Sequence, residues 1–186
     1  MSELVRRAGR GLDATGALVV WSVAEGRRGR RWREVRSVAG RGVIGSLLLE
    51  TDPGGRFNHA ELGTEAGLLT LHPESDGTIH GNLVTAAGVE HISGLPWSAD
   101  AVLLVEGSTI AAAVIAHGLR RAIAAGTSAS RRAVFVDLGL AVRVGDLSIE
   151  RIGDDDWRLG SMGDVAVDDD GIPLLAGARI WPLEVE

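Results

Sequence analysis

The sequence predicts a mainly β fold of the α+β class. It reads as a strongly curved antiparallel sheet or barrel-like meander with one substantial helix packed on it. Three observations carry this. Five short apolar runs between Gly45 and Trp97 are separated by turn residues. One alanine-rich stretch has the caps and composition of a helix. Beyond Gly126, strand-like alternation resumes.

Residues 1–15 are polar and rich in glycine and arginine, which predicts a flexible N-terminal arm. A single β-rich domain over 16–186 follows, since 186 residues suit one core and are few for two. GALVVWSVAEG is β-branched and closes on glycine, so it reads as a strand. RRGRRWREVRSVAG is the second arm of a hairpin turning at Arg27 to Arg30. SLLLET, FNHAEL, GLLTLH, TIHGNLVT and VEHISGLPW follow, divided by Asp-Pro-Gly-Gly, Gly, Glu-Ser-Asp-Gly and Ala-Ala-Gly. Proline presets φ early in a turn and glycine accepts positive φ late in one, so these are short antiparallel connections. GSTIAAAVIAHGLRRAIAAG predicts a helix over about 108–125, capped at Ser108 and stopped at Gly126. In all, six to nine antiparallel strands are expected. The aspartate runs 154–156 and 168–170 sit beside Gly153 and Gly171, where turns belong.

Composition narrows the chemistry. Cysteine is absent, which removes disulfides, thiolate metal sites and cysteine nucleophiles. All 19 basic residues are arginine, so there is no lysine for a Schiff base or a P-loop. No apolar run is long enough for a membrane-spanning helix. Arg6, Arg7 and Arg10 before Ala17–Val23 imitate a signal peptide, but Asp13 and Gly16 interrupt it. A first strand explains the run better, and with no disulfides the expected localisation is cytoplasmic.

Four of the five histidines lie between Phe57 and Ile92. Strand period two assigns their faces. Ala60, Leu62, Leu69, Leu71, Ile79, Leu83 and Ile92 share one side. His59, Glu61, Thr70, His72, His80, Asn82 and His91 share the other. A turn at Gly63–Ala66 would set His59 opposite Thr70, and one at Ser75–Gly77 would set His72 opposite His80. Two settings produce such a face. One is the wet side of an ordinary antiparallel sheet. The other is a sheltered lining that orients a ligand, and the near-absence of arginine from these strands favours it.

Other candidates are weaker. RRGRRWREVR could meet phosphate or nucleic acid, but a net charge of −6 opposes this, and pairing with the aspartate runs accounts for the arginines. Ser108 has no nucleophile-elbow motif and reads as a helix cap. His117, on an apolar helix, reads as a core or boundary histidine with one nitrogen satisfied. Trp97, Trp157 and Trp181 read as core plugs.

No family-specific motif is present. The order of elements is similar to that of small carriers of hydrophobic ligands, an analogy of fold alone. Three functions follow. The first is a binding protein that holds a small, partly apolar ligand in a curved sheet or barrel, with the seven histidine-face residues as its polar lining and no cofactor. It binds no nucleic acid and spans no membrane, and a homo-oligomer is admitted. The second is a metal-dependent enzyme with a divalent ion such as zinc on His59, Glu61, His72 and His80. The third is an assembly module whose histidine interface responds to pH.

Overall fold

The computed structural model describes residues 4–183. Fourteen strands and one α-helix build two sheets. The first eight strands are β1 (Arg6–Leu12), β2 (Leu18–Gly26), β3 (Gly29–Val38), β4 (Gly42–Thr51), β5 (Phe57–Thr64), β6 (Gly67–Pro73), β7 (Thr78–Thr85) and β8 (Gly88–Pro96). They form a continuous antiparallel meander. The final strand, β14 (Ala176–Pro182), pairs with β1 and completes nine strands in the order β14-β1-β2-β3-β4-β5-β6-β7-β8.

The second sheet contains β9 (Val102–Val105), β10 (Thr127–Val136), β11 (Val142–Arg151), β12 (Asp156–Leu159) and β13 (Asp164–Ala166). Between β9 and β10 runs α1 (Thr109–Leu119). These two strands pair in parallel, which departs from the all-antiparallel expectation. A helix carries the chain back to the end from which β9 started, as parallel pairing requires.

The core has two apolar clusters. In the first, Trp32, Leu49, Leu71 and Ile79 of the large sheet meet Leu103, Val105, Ile110 and Val134. In the second, Ala113, Ile115 and Ala116 of α1 meet Ile149, Trp157 and Leu159 of the small sheet. The helix is therefore buried on both sides, and its continuous alanine and isoleucine run suits that place.

Three expectations are corrected. The segment read as a flexible arm supplies β1, paired on both edges, with Ala8 opposite Ser22 and Trp181. Its glycines and arginines concealed a strand whose second partner lies at the far end of the chain. The helix ends at Leu119 rather than near 125, and residues 120–126 are turns that Arg151 ties down through the Arg120 and Ile123 carbonyls. The β5–β6 connection turns at Glu65–Ala66, so Glu61, not His59, stands opposite Thr70. This is a two-residue shift, and a shift of two preserves the faces.

Candidate functional site

The seven histidine-face residues do share one side of β5–β8. Their apolar alternates Ala60, Leu62, Leu69, Leu71 and Ile79 are buried in the first cluster, and Leu83 and Ile92 pack against it. The histidine side is therefore turned away from the core. His59, Thr70, His72, His80 and Asn82 are half-buried, whereas Glu61 and His91 are exposed. His72 pairs with His80, Thr70 with Asn82, and Asn82 with His91. Several of the polar groups have local partners. His59 Nε2 donates to Glu61 (3.0 Å) and His91 Nδ1 to the Asn82 side-chain oxygen Oδ1 (2.6 Å), and His72 Nε2 lies 3.0 Å from the Glu74 carboxylate. The Asn82 backbone N–H donates to Thr70 Oγ1 (3.2 Å). Among the described residues, no group of three or more histidine, aspartate or glutamate side chains is placed to hold a metal. The zinc alternative on His59, Glu61, His72 and His80 thus finds no geometric support.

The concave features gather round α1 instead. None of the cavities there is lined by any of the seven residues. Along the flank of the helix lies an apolar cavity of about 220 Å³, walled by Leu49, Phe57, Leu103, Val114, Ile115 and Leu119, with Arg56, Asp100 and Arg131 contributing charge. At the helix C-terminus lies a polar cavity of about 420 Å³, with Glu25, Arg30, Asp52, His117, Arg120 and Asp170 in its wall. Thr51, Gly54, Gly55 and Gly118 border both. The β4–β5 turn rests on the helix there through two glycines. A Cβ on Gly118 would lie 3.1 Å from the Gly55 carbonyl oxygen, and one on Gly55 would lie 3.3 Å from the Gly118 Cα. Only backbone separates the two spaces at that point.

Arginines clamp the polar cavity. Arg30 pairs with Glu25 (3.2 Å) and donates to the Asp170 carbonyl. Arg7 reaches Asp168 (3.4 Å) and Asp170 (2.8 Å). Arg120 binds Asp155 (2.5 Å), Asp169 (3.2 Å) and the carbonyls of Asp154 and Asp168. The two aspartate runs are turns, and their charges are partners for arginines from β1, β11 and the end of α1. His117 sits among these groups with Gly171 against its ring and the Trp32 ring 5.9 Å away. Its Nδ1 is sealed from solvent and has no hydrogen-bond partner among the described residues. Burial, with Arg30 and Arg120 adding repulsion, lowers its pKa to about 4, so the ring is neutral at physiological pH.

The N-terminus of α1 is closed by the protein itself. Ser108 caps it as expected, accepting the Ala111 N–H (3.0 Å), and Glu34 from β3 accepts the Ile110 N–H (2.8 Å). Burial pushes the Glu34 carboxyl above the usual range despite these bonds and nearby Arg36. Arg36 in turn holds Asp13 (2.9 Å). Desolvation works against the Asp13 charge, but hydrogen bonds from Thr15, Arg36 and the Ala17 amide outweigh it and lower its pKa. Apart from the Ser108 cap, the sequence held no signal for this network, which joins Asp13 near the start of the chain to Ala111 in α1. Of the predicted core plugs, Trp157 is fully buried and Trp97 packs edge-on against Phe57 (5.3 Å). The described residues include no helix long and apolar enough to cross a membrane.

No protein-family model matches the chain, and no curated protein is similar to it. Its fold is similar to that in a crystal structure of a DUF1089-family protein from Pseudomonas aeruginosa. The TM-score is 0.55 and the sequences are 16% identical, over 83% of this chain and 86% of the other. At that identity the likeness is one of fold.

Proposed function

We propose that the protein binds a small, partly apolar molecule in the cavity flanking α1. The observation that carries this reading is the lining of that cavity, where Leu49, Phe57, Leu103, Val114, Ile115 and Leu119 meet three charged side chains, Arg56, Asp100 and Arg131. Ligand sites are concave, mainly apolar and furnished with a few placed polar groups, and this cavity has that character.

Native mass spectrometry of the purified full chain tests it. A copurifying molecule of small mass is expected, and Val114→Phe, which fills the apolar cavity, is expected to remove it while the protein stays folded. Retention of the molecule by Val114→Phe would place binding elsewhere.

A second reading concerns the outer face of β6–β8. Leu68, Val84 and Val89 are register partners in a row, and all three are exposed. They lie beside Thr70, Asn82 and His91. An apolar row on an exposed sheet face suits association between copies. Sedimentation over a range of protein concentrations tests it, and a monomer throughout would exclude it.

A further inference from the structure

We infer that the molecule held in the apolar cavity carries a carboxylate, bound by the guanidinium of Arg131; this rests on the binding reading above and names the chemical class of its ligand. Along β10, Ala129, Arg131 and Ala133 alternate onto the side facing the second cluster. Ala133 is fully buried there and Ala129 packs against the same cluster. A charged residue at an inward strand position is unusual and ordinarily carries a partner. The other arginines that reach inward all have one. Arg30 holds Glu25, Arg36 holds Asp13, Arg120 holds Asp155, and Arg151 lies 3.7 Å from Asp154.

Arg131 differs. Among the described residues it forms no ion pair, and its Nε is sealed from solvent without an acceptor. Its one hydrogen bond runs from Nη1 to the neighbouring Ser130 carbonyl (3.0 Å). Asp100, exposed at the border of the same cavity, accepts from Ser98 Oγ (2.6 Å); that bond first, and the charge of Arg131 as well, lower its pKa, so it neighbours the guanidinium without pairing with it. Arg56, also bordering the cavity and also without a carboxylate partner among the described residues, adds a second positive charge. A guanidinium offers a planar fork of donors that matches the two oxygens of a carboxylate. The apolar wall leaves the rest of the molecule hydrocarbon in character, and a cavity of about 220 Å³ suits a chain of modest length.

Calorimetric titration of the full chain with octanoate, octan-1-ol and octylamine tests this. All three share one apolar body and differ in head charge. Octanoate is expected to bind at least about tenfold more tightly than octan-1-ol, since a hydrogen bond to a charged group is worth that much. Octylamine is expected to bind least. Arg131→Gln should bring octanoate down to the level of octan-1-ol without weakening the alcohol. Arg131→Lys, which keeps the charge and loses the fork, should fall between. Equal binding of octanoate and octan-1-ol by the wild type overturns the carboxylate inference and leaves the binding reading standing. So does an unchanged preference in both variants. Failure of all three compounds to bind overturns both readings. A circular dichroism spectrum matching the wild type qualifies each variant, and Arg131→Lys decides the question where Arg131→Gln does not fold.

Discussion

His72 stands directly opposite His80 on neighbouring antiparallel strands, and both point away from the core that Leu71 and Ile79, one residue earlier in each case, help to fill. Adjacent residues on each strand therefore differ sharply in what they contribute. Leu71→Ala is expected to cost about 2–5 kcal/mol, because it empties buried volume. His72→Thr and His80→Thr are expected to stay within about 0.5 kcal/mol of the wild type. Urea unfolding of the three variants checks this. Comparable losses from Leu71→Ala and His72→Thr would contradict the assignment of faces.

Glu34 is buried, and desolvation raises its pKa, so folding shifts its equilibrium towards the protonated form. The sign follows. A raised folded value contributes stability that is fully present below the ordinary 4.5 and is lost as pH rises through the folded value. Glu34→Gln keeps an acceptor for the Ile110 N–H and cannot ionise. It is expected to raise the melting temperature relative to wild type at neutral pH, with the difference vanishing near pH 4.5. A constant difference across that range would show that Glu34 titrates normally.

His117 works in the other direction. Its folded pKa of about 4 lies below the ordinary 6.5. The neutral ring therefore contributes stability that is complete above about 6.5 and lost as pH falls towards 4. Arg30, Arg120, Glu25 and Asp170 face this ring, and the two arginines set the repulsion that protonation would meet. His117→Gln should flatten the loss of stability in that window. The slope between pH 6.5 and 4 in wild type and variant is the measurement.

Arg120 joins the end of α1 to both aspartate turns. Arg120→Ala removes one donor from each turn, while the Asp154 carbonyl keeps Arg151 and the Asp168 carbonyl keeps the Gly171 N–H, so a cost of about 1 kcal/mol is expected. Faster hydrogen exchange is expected at the Asp170 and Ile172 amides, which bond to Asp168 within that turn. Unchanged exchange there would mean the turn holds its shape alone.

Local features were legible along the chain. Alternation from Phe57 to Ile92 separated the histidines from the leucines correctly, because side-chain direction in a strand depends only on parity. Turn residues set the β4–β8 meander, and Ser108 capped its helix as its type prefers. Tertiary structure decided the rest. Parity says which residues share a face and nothing about which face meets the core, and that was settled when α1 and the second sheet covered the leucine side. The strand from Arg6 to Leu12 is held partly by residues 176–182, a pairing that no local pattern records. The candidate site is likewise an encounter of distant segments. Gly55 meets Gly118, Arg131 faces the cavity beside them, and the physical link between them is packing rather than spacing along the chain.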